Sequence, residues 1–385
     1  MTATFALTTL RETLLGAVET ALAPVERKNT IPVLANLLLD GGDSGLLRVS
    51  GTDLDVMTSV ATAIAVDAMP DEGETLPAAL LHDILRKLPA KAEVSLKSTG
   101  KGQMAITSGR SRFTLQTLPG ADWPRLVEKE PPAARFAIPA TQFAAMLAAV
   151  KFAISTEETR YYLNGVFMHC LDGRLITVAT DGHRLARAVT AAPEGAPAMP
   201  GVIIPRKTVD LVAKALAGAG KEAKLAISVS ENRICFELGA VQIASKLIDG
   251  TFPDYGRVIP EESGNRWRFD VKAMLAAVER VSVISNQRGN AVRMAWGQAT
   301  ADLAVINPEA GDGQDSVDVE AAAGEDVEIG FNSKYLGEML TNIAASGQTT
   351  AAVALAGPGA PARFAPVGDE NDEIEMTFVL MPMRV

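Results

Sequence analysis

The chain has 385 residues, 48% of them hydrophobic and 21% charged, with a formal net charge of −10. That is enough apolar mass for about two or three globular domains, and no apolar run approaches the roughly 20 residues of a membrane span. The acidic average, taken alone, argues against nucleic-acid binding, and two cysteines, Cys170 and Cys235, do not support a disulfide framework.

In chain order, residues 1–10 lack a basic start followed by an apolar run, so secretion is not expected and a reducing cytoplasm fits. Phe5-Ala6-Leu7 opens into Leu10, Leu14, Leu15, Val18 and Leu22, the pattern of a strand and then a helix with a 3.6-residue apolar period. Phe136-Ala137-Ile138 repeats it 131 residues on, with Phe143, Met146, Leu147 and Val150. Phe269-Asp270-Val271 repeats it after a further 133, with Met274, Leu275, Val278 and Val281. A second helix follows Leu76-Pro77, Ile203-Ile204-Pro205 and Ile329-Gly330-Phe331, at intervals of 127 and 126 residues. Proline suits a helix start, where its missing N–H costs nothing. Helices are therefore predicted over 10–22, 78–88, 141–151, 206–217, 272–281 and 333–343. Short strand-like runs lie between them at 45–50, 62–66, 93–97, 112–118, 225–229 and 233–238. Both cysteines sit in apolar, strand-like surroundings and are expected to be buried thiols. The chain reads as α+β, three copies of a unit with about two helices and many antiparallel strands. Breaks near 128–132 and 260–265 give domains 1–130, 131–262 and 263–385.

Asp181-Gly182 lies between two apolar runs, a hairpin signal that projects His183 and Arg184 from a tight bend. His183 with Asp181 and Thr180 offers acid–base or nucleophilic work. Against that, His82, His169, His183 and the two cysteines show no metal-ligand spacing. Gly218-Ala219-Gly220-Lys221 departs from a phosphate loop at Glu222 and at Ala215, where the motif needs glycine. No catalysis, metal or cofactor is expected, and the bend is assigned to a docking cleft.

The predicted helices hold ten basic residues, Arg11, Arg86, Lys87, Lys151, Arg206, Lys207, Lys214, Lys272, Arg280 and Lys334. Against them stand six acids, Glu12, Glu19, Asp83, Asp210, Glu279 and Glu338, so the helices carry +4 and the remainder −14. Helices facing a polyanion would show this asymmetry. So would helices that use Lys and Arg as good formers on wet faces.

Seven motifs run in order along the chain: Asn36-Leu37-Leu38-Leu39, Gly51-Thr52-Asp53-Leu54, Ser108-Gly109-Arg110-Ser111-Arg112-Phe113, Arg160-Tyr161-Tyr162-Leu163-Asn164-Gly165, Ala179-Thr180-Asp181-Gly182-His183-Arg184-Leu185-Ala186, Ser245-Lys246-Leu247 with Phe252-Pro253-Asp254-Tyr255, and Met381-Pro382-Met383-Arg384. With these, the chain resembles from end to end the bacterial sliding clamps, the beta subunits of DNA polymerase III. The resemblance implies a head-to-tail homodimer of three like domains per chain, closed into a ring with helices lining the hole and sheets outside. Such a ring is a processivity factor: it encircles duplex DNA without reading its sequence and slides.

Partners implied by the resemblance are double-stranded DNA, a second copy of the chain, the replicative polymerase alpha subunit, the clamp loader, and other polymerases and repair proteins that insert short linear motifs. A membrane is not among them, and ring opening is left to a separate ATP-driven loader. The implied peptide cleft, between domains 2 and 3, comprises Arg160, Leu163, Thr180, His183, Arg184, Leu185, Pro253, Arg257, Val258, Asn332, Tyr335, Val379, Leu380, Met381, Pro382, Met383 and Arg384. Leu, Val, Pro and Met suit an adaptable apolar pocket, and Arg and His supply orienting donors. Lys28, Tyr161 and Tyr162 match DNA-contacting positions; Arg86, Arg206 and Lys207 are added from charge. Ala79, Leu80 and Glu157 depart from the family's pattern of DNA contacts. At the seam between copies, Arg110 and Arg112 would face Glu309, Asp312 and Asp315, with Phe113 and Leu115 against Val283 and Ile284. The stretch 309–320, with Gly311 and Gly313, otherwise resembles a solvated loop. The alternative reading is a three-repeat scaffold that binds peptides but not DNA.

Overall fold

The computed structural model describes residues 5–27, 29–42, 45–125, 131–260, 264–285, 290–368 and 373–384. Among them six α-helices form: α1 Arg11–Ala21, α2 Ala78–Lys87, α3 Ala140–Lys151, α4 Arg206–Ala217, α5 Val271–Ser282 and α6 Ser333–Ala345. Each begins where a strand ends, as the repeats predict, and each end falls within two residues of its expected place. At two junctions the last strand residue caps the helix. Asp270 Oδ1 accepts from Ala273 N at 2.7 Å, and Asn332 Oδ1 accepts from Lys334 N at 3.0 Å and Tyr335 N at 3.2 Å. Leu10 and Pro77 supply no such cap to α1 and α2. These two helices are joined instead through Arg11, whose guanidinium donates to Leu85 O at 2.7 Å and Arg86 O at 3.1 Å, satisfying carbonyls at the C-terminal end of α2.

The chain divides into two compact units, 1–140 with 210–246, and 141–209 with 247–385. In the first, a four-stranded antiparallel sheet runs in the order Ala6–Leu10, Glu93–Ser98, Gln103–Ser108, Ser111–Gln116. A nine-stranded sheet begins at Ala134–Pro139 and passes through Val241–Lys246 and Val56–Ala65 to Leu118–Pro119. Leu14, Val18, Leu39, Leu47, Leu81, Leu85, Leu96 and Ile106 meet in its core. In the second unit twelve strands form one continuous order. It starts at Val202–Pro205, runs through Arg184–Ala191, Glu375–Leu380 and Gly311–Ala323, and ends at Val327–Asn332.

Three expectations change. Residues 311–323 are a thirteen-residue strand rather than a solvated loop, paired with Thr300–Asn307 and, at its far end, with Arg266–Asp270. Gly313 serves close packing there, since a Cβ on it would stand 3.2 Å from Ile284 Cδ1. Leu115 is buried in the first unit's own core, although Phe113, two residues earlier on the same strand face, is exposed, so Leu115 has little surface to offer a second copy. Cys235 is buried as expected, but Cys170 is only half-buried, near the end of its strand.

Candidate peptide-binding site at a hairpin held by two arginines

Thr180 and Arg184 close the hairpin between Arg174–Thr180 and Arg184–Ala191. Asp181 organises the turn, its Oδ1 accepting from His183 N at 2.9 Å and Arg184 N at 3.0 Å. Thr180 Oγ1 donates to Arg184 O at 2.7 Å and accepts from Gly182 N at 3.1 Å. Gly182 sits at φ +88°, and a Cβ there would fall 2.5 Å from Arg160 Nη1. The glycine therefore serves both the backbone and the close passage of an arginine.

Arg184 is the centre of the arrangement. Its side chain is 11% exposed and meets Asp181 Oδ2 at 3.1 Å, Glu338 Oε2 at 2.5 Å and Phe152 O at 2.8 Å. Its guanidinium carbon lies 4.5 Å from the Tyr335 ring centre and 5.0 Å from that of Phe152. Tyr335 also stacks on His183, with centroids 6.0 Å apart and planes 20° apart. Burial, with help from Asp181, pushes the Tyr335 phenol above its ordinary value, so it stays a neutral hydroxyl. Arg160 forms a fork with Glu157, at 2.8 Å and 2.7 Å, which holds that carboxyl below its usual range. Glu157 thereby acquires a structural partner.

The tail joins the hairpin edge-on. Leu185 pairs with Val379, Met381 N donates to His183 O at 2.9 Å, and Met383 N donates to Gly330 O at 2.8 Å, beside the Asn332 cap. Leu163, Leu185 and Val379 are buried in one cluster with Phe252. Met381, Pro382 and Met383 are half-buried, and Pro253, Val258, His183 and Arg384 are exposed. Leu380 is in register with Arg184 and so shares its face of the sheet, opposite that of Val379, and both Leu380 and Val379 are buried. Arg257 is held only by Asp254, at 2.8 Å, with 86% of its side chain exposed. Sequence reasoning missed Phe152, Glu338 and Asp181 as the groups that aim Arg184. Phe152 and Glu338 are remote in sequence, which leaves no local signal.

Tyr162 packs against the buried cluster of Leu163, Leu185 and Val379. Lys28 lies outside the described residues. Arg86 and Lys207 are exposed, and Tyr161 is exposed with its ring edge-on to half-buried Tyr162, 5.8 Å between centroids. Arg206 is half-buried and donates to Ile154 O and Ser155 O, so it fastens the start of α4. In the first unit, Ser111–Gln116 is the edge of its sheet, with Arg110, Arg112 and Phe113 exposed. In the second, Val283 is 84% exposed, Ile284 is half-buried, and Glu309 and Asp312 are exposed. Asp315 is engaged by its own chain, 2.6 Å from Arg280 Nε, and its carboxyl is held below the usual range. Ile306 was missed: it is 78% exposed, out of phase with buried Leu303 and Val305 on its strand.

Family models match consecutive parts of the chain: the N-terminal domain of the DNA polymerase III beta subunit over 5–127, its central domain over 137–254 and its C-terminal domain over 256–384. The beta sliding clamp of Caulobacter vibrioides is 40% identical over 98% of this chain and 100% of its own length. That of Escherichia coli K12 is 34% identical over 86% and 88%. Among solved structures, a sliding clamp from Bartonella birtlesii bound to griselimycin superposes with a TM-score of 0.90, at 38% identity over 99% of this chain and 100% of that one. A Caulobacter crescentus clamp with polyethylene glycol at a putative beta-motif tethering region gives 0.91, at 39% identity over 99% of each. With α+β architecture, repeated strand–helix junctions and full-length similarity in agreement, the chain belongs to the DNA polymerase III beta subunit family, the beta sliding clamps.

Proposed function

We propose that this chain works as a processivity factor: two copies, each of three domains (1–130, 131–262, 263–385), close head to tail into a ring that encircles duplex DNA and slides. The carrying observation is similarity across the whole chain, at 40% identity, to proteins named for that activity. Encirclement reconciles the net charge of −10 with DNA. A topological link needs only weak, sequence-independent contacts, which Arg86, Lys207 and the exposed Tyr161 supply. The partner is a protein carrying a short linear motif, such as the polymerase alpha subunit or the clamp loader. Its apolar residues rest over Leu163, Leu185 and Val379, and its polar groups meet His183, Arg160 and Tyr335. The chain itself performs no bond chemistry in this role, and its place of work is the cytoplasm.

Retention on DNA is the test. Loaded onto a nicked circle, the ring stays bound, and linearising the circle releases it. Equal retention on circle and linear duplex would leave simple electrostatic binding, and no binding to either would leave the peptide scaffold.

A further inference from the structure

A cavity of about 520 Å³ lies over one face of the hairpin sheet and is bordered by Phe252, Pro253, Asp254, Tyr255, Gly256 and Ile259. The register builds that face. Phe167 lies opposite Val178, and Val178 lies opposite Arg187; His169 lies opposite Ile176 in the next row. Side chains on successive strands at these positions share one side of the sheet. Three rings form a continuous wall. Phe252 stacks on Phe167 at 4.8 Å and 6°, and Phe167 stacks on His169 at 4.7 Å and 25°. His169 Nε2 and the Tyr255 hydroxyl satisfy each other at 2.8 Å.

Arg187 is the exception in this wall. It lines the cavity half-buried, and its Nε is buried with no hydrogen-bond partner among the described residues. Asp254 also lines the cavity, but its carboxylate accepts from Arg257 at 2.8 Å. Among the described residues no acid pairs with Arg187, so its buried Nε is open to a negatively charged acceptor. Burial chiefly, and the Arg187 charge in addition, hold the His169 imidazole below its ordinary value, so it contributes no second cation at neutral pH.

We propose that this cavity binds a small planar aromatic molecule bearing one carboxylate, with the carboxylate on Arg187 and the ring against Phe252, Phe167 and His169. A single planar fork of donors matches one carboxylate. The side of this ring column, made of ring edges, matches the face of a flat aromatic molecule in an edge-to-face contact. The volume lies within the ordinary range of small-molecule sites. The site adjoins the proposed cleft: Phe252 and Pro253 belong to both, and Phe167, Ile176 and Tyr255 pack in one cluster with Leu163, Leu185 and Val379, whereas Arg187 and His169 serve this site alone.

The probe is 2-naphthoate, with neutral 2-naphthalenemethanol as its matched control, titrated into the full chain by calorimetry. The carboxylate is expected to bind at least tenfold more tightly than the alcohol. Arg187→Met should abolish that preference while leaving alcohol binding and cleft-peptide binding unchanged. The wild-type chain gives an independent reading should that variant fold poorly. Bound naphthoate places a negative charge beside His169 and should raise the pH at which its imidazole titrates by NMR, and the alcohol should not. Equal affinity for the two probes, a preference that survives Arg187→Met, or an unmoved His169 titration at saturating naphthoate overturns the proposal.

Discussion

Single residues decide how sharply the cleft is shaped. Gly182→Ala adds a Cβ at positive φ and drives it to 2.5 Å from Arg160 Nη1. A loss of about 1–2 kcal/mol in denaturant unfolding is expected, with peptide affinity lowered about tenfold as Arg160 is displaced. Arg184→Met leaves Asp181 and Glu338 facing each other without their cation, although Glu338 is 38% exposed and water screens part of the cost. About 2 kcal/mol of stability should be lost, less than for a wholly buried pair, and Glu338→Gln in the same background should restore part of it. His169 sets a pH dependence. Its native imidazole titrates below the ordinary 6.5, so the unfolded chain takes up the proton first as pH falls. Stability is therefore full above about pH 6.5 and declines below it, until the native ring also protonates. Unfolding midpoints measured from pH 7.5 downward should fall less in His169→Phe than in the wild-type chain. The motif around residues 179–186 marked out His183 and Arg184, which the structure brings together on the Tyr335 ring. The groups that aim Arg184 were not legible, because Glu338 lies 154 positions away and no local pattern records that meeting.

At the scale of elements, the six helices were legible because a 3.6-residue apolar period survives any tertiary context that buries one face. The strand Gly311–Ala323 was not. Its glycines and acids signal a loop, and pairing with Thr300–Asn307 overrides that signal. Gly313→Val tests the reading, since the added side chain must displace Ile284 and should cost about 1–3 kcal/mol. A true loop position would tolerate it. The proposed seam draws on the same elements. Phe113 stands on an edge strand of the first unit, and Val283 and Ile306 are exposed in the second. Ile306→Asp combined with Val283→Asp should convert the two-copy species to single chains by light scattering at micromolar concentration, with the unfolding midpoint little changed. A mass still equal to two chains would place the seam elsewhere.

For the whole molecule, composition alone pointed away from DNA; the seven motifs pointed back, while the charge placed on the helices fits wet helix faces as well as a polyanion. Binding that depends on encirclement should show a split salt response. Initial association weakens steeply with added salt, whereas retention of an already closed ring on a circle changes little. A filter-binding series from low to high salt, run before and after closure, separates the two. The order in which the chain visits its two units has a further bearing on biosynthesis. The first unit's nine-stranded sheet includes Lys224–Val229, Arg233–Leu238 and Val241–Lys246, and the second unit begins at residue 141 but takes Glu375–Leu380 as the neighbour of Arg184–Ala191. A nascent chain leaving the ribosome at residue 209 holds two unfinished sheets at once, each with a bare ladder edge open to other chains. Translation pausing or a holding chaperone in that interval should govern the yield of usable protein more strongly than the final stability does.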